Sequence, residues 1–408
     1  MAGQNIGNFA GVFRHYLKGV TPTLRNTVVG RKFARNDYKW TGDHIRQTVH
    51  LKRNVGHGNI TDGGAFPAAG NLTMGQATAY RRFNVSTCQA SDGLLATAAT
   101  SEYAAQEASK AILRDSMEGA AQKESFEFYR DGTGVIGRMG TDVTTTTWGA
   151  TDARLLWDDL AVEVYNNADL SATGLRGTMT ISSVARALDA NGDFAVTSAA
   201  APPSGTAATD YLVWPGSLNR CVTGLQALVN NDTGTFQGIN CTTYPRYTSV
   251  VLANSSVNRA LSPTLFRQML AAIKQESGSP AQVTVLSNTW QGVNLEELYE
   301  GELRLTPDDE VGGASVASFQ SVFGKIKLVT DPMAPYNQMF FVDFSQIYRA
   351  VQSEMHWRTN GDGGGPFYKS QTSAVYRAEL LEICEYFIKQ RNKCGRLDDL
   401  SETVVTAY

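Results

Sequence analysis

The rhythm of apolar and polar positions changes several times along the chain. The first 45 residues mix basic, small and apolar types without sustained periodicity, which predicts an extended arm that must bury its side chains elsewhere. Gln47 to Leu51 alternates as a strand does, and Thr78 to Val85 reads as its polar-aromatic return. Between them, Gly56-His57-Gly58-Asn59 and Asp62-Gly63-Gly64-Ala65-Phe66-Pro67 carry the residues that break regular structure. The segment predicts a long two-stranded loop, a ribbon that is barely stable in water unless a surface supports it.

Glu102 to Tyr129 is a 28-residue run without Pro and with a single glycine, Gly119. It predicts a helical rod of roughly 40 Å at about 1.5 Å per residue. Its apolar stripe is thin, with Ala105, Ala108 and Ile112 aligned, so the rod is expected to lie on a flat surface and not at the centre of a core. Between 155 and 214 the pattern turns to short alternating runs: Leu160 to Tyr165, Thr178 to Val184, Phe194 to Thr197 and Tyr211 to Trp214. Gly174, Asn191-Gly192 and Pro202-Pro203-Ser204-Gly205 punctuate them, and the whole reads as a small antiparallel β-subdomain. The first of these runs could instead end a helix begun at Asp152, but Val162-Glu163-Val164 favours strand.

Further on, Ser262-Pro263 is a helix-start pair, and Leu265, Phe266, Met269, Leu270 and Ile273 share one helical face. After the Gly278-Ser279-Pro280 turn come strand-like runs at Val283 to Leu286 and Met339 to Phe344, then Ser345 to Tyr348, and alternation around Ala374 to Lys389. Helices and strands mix without a regular βαβ beat. The class is α+β.

Composition supports a large folded body: 408 residues, 42% hydrophobic and 10% aromatic, leave ample material for a core. A formal net charge of −3 argues against a globally basic nucleic-acid binder. The charge is nevertheless split, since residues 1 to 58 hold ten Lys/Arg against Asp37 and Asp43, leaving the rest at −11. No run approaches the roughly 20 apolar residues of a membrane-spanning helix, and Met1 to Ala10 lacks the pattern of a signal peptide, so a reducing cytosol is expected. The five cysteines (Cys88, Cys221, Cys241, Cys384, Cys394), never spaced Cys-x-x-Cys, read as free thiols. The six Asn-x-Ser/Thr triplets read as features of a polar surface.

Candidate chemistry is sparse. Gly132-Thr133-Gly134-Val135-Ile136-Gly137 satisfies a dinucleotide fingerprint, with Asp152 and Asp158 downstream as ribose-binding acids. The mechanism needs a strand before the glycines and a helix after them, and here the predicted order is helix first, so a chain-reversing turn is the plainer reading. No Gly-Lys-Ser/Thr exists, and His15, His44, His50, His57 and His356 show no ligand spacing. The carboxylate clusters Asp158-Asp159, Glu296-Glu297, Asp308-Asp309-Glu310 and Asp398-Asp399 read as solvated charges. No catalytic, cofactor or metal site is expected. A basic arm, a long loop and a thin-striped rod instead each need a neighbour to offset their ordering entropy, which points to a structural protomer.

The order of these parts resembles the major capsid protein of tailed double-stranded DNA bacteriophages, the Hong Kong ninety-seven fold. The matching residues are the loop with its Asp62 to Pro67 tip, the helix exit Phe128-Tyr129-Arg130-Asp131-Gly132-Thr133-Gly134, Tyr211-Leu212-Val213-Trp214 before Gly224-Leu225-Gln226-Ala227-Leu228-Val229, and the closing Asn392-Lys393-Cys394-Gly395-Arg396-Leu397. Arg130 stands where relatives often carry glycine. The resemblance implies an N-arm at 1–46, an E-loop at 47–85, and a P-domain at 86–150 with a spine helix at 102–129. An A-domain at 151–338, including the β-subdomain 155–214, and a return to the P-domain at 339–408 complete the division.

It further implies self-assembly into hexameric and pentameric capsomers of an icosahedral or prolate shell, located in the virion capsid and assembled in the host cytoplasm. A separate scaffolding protein, a portal, packaged DNA bound without sequence specificity and, in some relatives, a cement protein are the implied partners. Lys52, Arg53, Arg81 and Arg82 on the loop would pair with a neighbour's Glu118, Glu124 and Glu127, while Phe66 and the arm's Phe9, Phe13 and Tyr16 bury apolar surface. Lys52 also lies in the segment from which some relatives crosslink, with no partner identified here. The alternatives are an encapsulin-like nanocompartment shell and a soluble α+β enzyme using the Gly132 loop.

Overall fold

The computed structural model describes residues 35–40, 42–91, 102–141, 143–188, 193–278, 283–299, 316–321, 324–358, 367–369 and 375–401. The described chain begins with strands β1 (Arg35–Lys39), β2 (His44–Lys52), β3 (Thr73–Tyr80) and β4 (Arg82–Ser91), followed by helix α1 (Glu102–Tyr129). Next come β5 (Val135–Arg138), β6 (Thr147–Ala150), β7 (Ala161–Tyr165), β8 (Leu175–Leu188), β9 (Phe194–Ser198) and β10 (Tyr211–Val213). The one-turn helix α2 (Leu225–Leu228) leads to β11 (Thr235–Phe236), β12 (Ile239–Asn240) and β13 (Val250–Leu252). Helix α3 (Pro263–Ser277), β14 (Thr284–Ser287), helix α4 (Thr289–Tyr299), β15 (Val316–Ser321) and β16 (Gly324–Thr330) follow. The chain then runs through β17 (Met339–Val342), β18 (Ile347–Trp357), β19 (Tyr368–Lys369), β20 (Val375–Ile388) and β21 (Gly395–Leu397).

Three larger sheets result. In the first, β20 is the hub: it pairs antiparallel with β18, β4 and β19, and β1 joins β18 in parallel. The second has the order β5-β10-β7-β8-β9-β6, and the third β13-β21-β17-β14-β16-β15. β2 and β3 form a separate ribbon, as do β11 and β12. The mixed α+β class follows directly.

Local sequence explains several boundaries. Ser262 caps α3 by accepting the Leu265 amide at 3.2 Å, Pro263 opens it, and Gly278 closes it in the left-handed region at φ 66°. Leu265, Phe266, Met269, Leu270 and Ile273, the expected face, are all buried against the third sheet.

Elsewhere the structure corrects the expectations. The return strand of the ribbon is β3, and residues from Arg82 onward belong to β4, which leaves the ribbon to pair with β20. The sheet expected at 155–214 begins twenty residues earlier, because the Gly132 run opens into β5 and the Thr tract into β6. Those strands are four residues each, too short to show alternation. The 339–344 strand ends at Val342, and the apolar run after it continues as one long strand, β18, to Trp357. Helix α4 was not foreseen, since its apolar residues fall on no single face.

Burial also changes along the rod. Residues 111 to 119 are mostly half-buried or exposed, whereas every residue from Glu124 to Tyr129 is buried. Phe126 enters the core around Trp148, Ile136 and Val164, while Phe128 and Tyr129 enter the core around Tyr386, Phe340 and Leu225. The last turn therefore joins two cores. Gly224 makes that junction possible, because a Cβ there would collide with the carbonyl oxygens of Glu127, Phe128 and Arg130.

On the far side of Gly224, α2 is held by two arginines from the closing motif. Arg391, 1% exposed, donates to the carbonyls of Leu228 (2.8 Å), Ala227 (2.9 Å) and Asn230 (3.0 Å) and pairs with Asp232 at 2.7 Å. Arg396 donates to Gln226 O at 2.6 Å and pairs with Asp398 at 2.7 Å. Carbonyls that a short helix cannot satisfy internally thus receive charged donors.

Gly224→Ala is expected to lower the unfolding free energy by about 3 kcal/mol through overpacking. Gly119→Ala, exposed in α1 with nothing within 4 Å of the added Cβ, should raise it by roughly 0.5–1 kcal/mol. Urea midpoints of the two soluble variants measure both, and a Gly224→Ala midpoint equal to wild type contradicts the packing described.

Candidate inter-subunit surface

The β2–β3 ribbon pairs His44 with Tyr80 and runs through His50 opposite Met74 to Lys52 opposite Thr73. Its stem does not stand free. Ile45 and Ala79 pack with Trp40, Tyr348, Ala350 and Phe387. Val49, Leu51 and Ala77 pack with Ile239, Cys241 and Tyr247, and the Thr78 amide donates to Gln237 O at 2.8 Å. The supporting surface required by an isolated ribbon is supplied, at the stem, by the same subunit.

Beyond the stem the picture reverses. Among the described residues, 53 to 72 make one backbone–backbone hydrogen bond, Gly64 N to Thr61 O at 2.8 Å. Phe66 is 87% exposed and Val55 81%, with Ile60, Leu72 and Met74 also exposed. Large apolar side chains on a protruding loop, with most backbone groups left to water, mark a surface built to be covered.

The expected contact residues divide into three groups. Phe9, Phe13 and Tyr16 lie outside the described residues. Lys52, Arg53 and Arg81 are exposed, with the Lys52 ammonium 5.6 Å from the Tyr244 ring and the Arg81 guanidinium 5.4 Å from the Phe83 ring. The acids and Arg82 are engaged inside their own subunit. Glu118 pairs with Arg114 one helical turn away at 2.8 Å. Glu127, 7% exposed, lies 3.5 Å from Lys123. Glu124, 1% exposed, lies 3.6 Å from Arg349 on β18, which also pairs with the fully buried Glu382 on β20. Glu124 therefore cannot receive a neighbour's loop bases, because it faces the sheet, and Glu127 is already engaged by Lys123. The sequence reading missed Arg349, Glu382 and Glu385. Their signal was ionisable residues set inside the apolar runs Ile347-Tyr348-Arg349-Ala350 and Leu381-Glu382-Ile383-Cys384-Glu385-Tyr386.

Arg82 marks the root of the ribbon. It donates to Glu385 at 3.3 Å and to Asn219 O at 2.8 Å. Glu385, 2% exposed, accepts the Thr223 amide at 2.7 Å and its own neighbour's amide, Tyr386 N, at 2.9 Å. Burial still outweighs these bonds and Arg82, and pushes the carboxyl up to about 7.

The glycine-rich run is not a ligand cradle. Gly132 and Gly134 adopt φ 87°, and a Cβ on Gly134 would lie 2.7 Å from Ser217 O, so the turn is filled by the chain itself. Asp152 sits beside a cavity of about 390 Å³, held by Arg130 at 2.6 Å and Arg154 at 2.7 Å. Burial works to raise its carboxyl, but the two guanidinium groups win and hold it below the ordinary carboxylate range. An acid locked this way is a poor base. Among the described residues no His, Cys, Asp and Glu cluster could hold a metal ion. The five cysteines are free, four of them buried, and burial pushes the Cys221, Cys384 and Cys394 thiols up, the last to about 12.

The family model of the SU10 major capsid protein matches residues 214–364. The solved cyanophage A-1(L) capsid asymmetric unit superposes with a TM-score of 0.58 at 13% identity, covering 94% of this chain and 96% of that one. The chain therefore has the Hong Kong ninety-seven fold, and its residues 214–364 are similar to a major capsid protein family. Two further structures match at a TM-score of 0.47. One is the capsid of Myoviridae phage XM1, at 7% identity with 96% and 98% coverage. The other is the holo-SrpI encapsulin complex from Synechococcus elongatus, at 10% identity with 100% and 99% coverage. No curated protein matches the chain by sequence.

A carboxyl raised on folding favours the folded state below its unfolded value, near 4.5, and that contribution is lost as pH climbs through about 7. The protein should therefore lose stability between pH 5 and pH 8 by up to about 3 kcal/mol relative to Glu385→Gln, which carries no such titration. Parallel denaturation curves across this range provide the measurement, and equal slopes for the two proteins would contradict the assignment.

Proposed function

We propose that copies of this chain close into an icosahedral or prolate shell of hexameric and pentameric capsomers around double-stranded DNA. The observation that carries this reading is the loop at 53–72, which pairs almost no backbone and exposes Val55 and Phe66 beyond a stem that is firmly seated. In this reading the β2–β3 ribbon is the E-loop, α1 the spine helix, and α1 with the five-stranded sheet the P-domain. The other two large sheets then form the A-domain.

Apolar burial supplies most of the contact energy, at roughly 25 cal/mol per Å² covered. Exposed ion pairs add about 0–1 kcal/mol each, multiplied by the number of copies. The net −11 carried after residue 58 suits a wall facing packaged DNA, since strong attraction would impede filling. Assembly in the host cytoplasm on a separate scaffolding protein, with a portal and in some shells a cement protein, completes the proposal.

Deleting residues 56–70 should leave a monomer with wild-type thermal stability that no longer forms particles, because that segment contributes little to any core. Electron microscopy of expressed wild-type and deleted chains tests this. Normal shells from the deleted chain would refute the loop's role, and protected nucleic acid in wild-type particles separates a genome container from a protein-cargo compartment.

A further inference from the structure

The loop tip has a complement elsewhere on the same molecule. Strand β4 pairs with β20 on one side and with no other strand among the described residues, so it is an edge. Phe83 and Val85 on it are 54% and 47% exposed, and after Arg82 the strand carries no charge or proline of the kind that usually protects an edge. Beside them lies a hollow of about 160 Å³ between β4, α1 and the 216–222 segment. Arg82, Lys123 and Arg220 line it; Glu127, the single acid of the lining, faces Lys123, and Arg82 is held from behind by the buried Glu385 at 3.3 Å, which leaves Arg220 as the uncompensated base. Arg220 is exposed, donates to Gly216 O at 3.1 Å and pairs with no carboxylate among the described residues. The hollow is a basic recess with an apolar rim.

The tip offers the opposite. From 54 to 72 its only ionisable side chains are His57 and Asp62. Thr61 to Gly64 close a four-residue turn through Gly64 N to Thr61 O at 2.8 Å, with Gly63 at φ 75°. This places Asp62 at the leading corner of the turn and Phe66 just behind it, both exposed. An acidic point followed by an aromatic ring matches a basic recess with an apolar rim in sign and order.

We infer that the loop tip of one copy docks on β4 of a second copy, with the Asp62 carboxylate in the recess formed by Arg82, Lys123 and Arg220 and Phe66 on Phe83 and Val85. This rests on the shell reading and reverses the polarity expected from sequence, since the loop contributes the acid and the receiving surface the bases. The occupant is a second copy because both halves lie exposed on every copy and their charges are complementary.

The test uses the full chain in assembled particles. Asp62→Cys with Arg220→Cys should give a ladder of linked subunits on a non-reducing gel after mild oxidation, with neither single variant doing so. Asp62→Arg should cut particle yield at least tenfold, Arg220→Glu likewise, and the two together should restore it to within about threefold of wild type. Circular dichroism checks that each variant folds. Wild-type particles without a ladder in the double cysteine variant, or Asp62→Arg assembling normally, would overturn this docking while leaving the shell reading intact. A wild-type chain that never exceeds a monomer would overturn both.

Discussion

The close approach of Gly224 to the end of α1 is the constraint on which the rest of the architecture depends. Three carbonyl oxygens of the final helical turn crowd the space where a side chain would begin. With that space empty, α2 lies against the helix end, and the cores containing Phe126 on one side and Phe128 and Tyr129 on the other are fixed relative to each other. Arg391 and Arg396 then hold α2 from the opposite side. Two sequence motifs 160 residues apart are thereby one structural unit, and the β21 strand that carries Arg396 draws the third sheet into it.

A second constraint is electrostatic. Arg349 lies between Glu124 on the helix and Glu382 on the sheet, all three nearly without solvent contact. Such a set adds little net stability over an apolar equivalent, because desolvation consumes most of the Coulomb gain. What it does impose is register: a helix slipped by one residue would strand a charge in the interior. Neighbouring Glu385 carries that coupling to the root of the ribbon through Arg82.

The sequence conveyed those parts of the fold whose signals are local. Ser262, Pro263 and Gly278 delimit α3 because capping and left-handed closure are single-residue chemistry. The breaks at Gly56 to Pro67 showed the loop tip for the same reason. Strands β5 and β6 were hidden because four residues show no period, and the limits of the ribbon because Arg82 to Ser91 alternates whether it pairs with β3 or with β20. At the candidate surface, Phe66 was legible as an apolar residue in a polar turn. The burial of Glu124 and Glu127 was not, since the partner that draws one of them inward, Arg349, is more than 200 residues away.

The cysteines carry a consequence for chemical durability. Cys221, Cys241, Cys384 and Cys394 are all buried, and the first, third and fourth are held in the neutral form by their apolar surroundings. Oxidants act on thiolates that solvent can reach, so these sulfurs stay inert. The protein can pass from reducing to air-saturated solution with those four residues chemically unchanged, its durability owed to packing and not to covalent bridges between them.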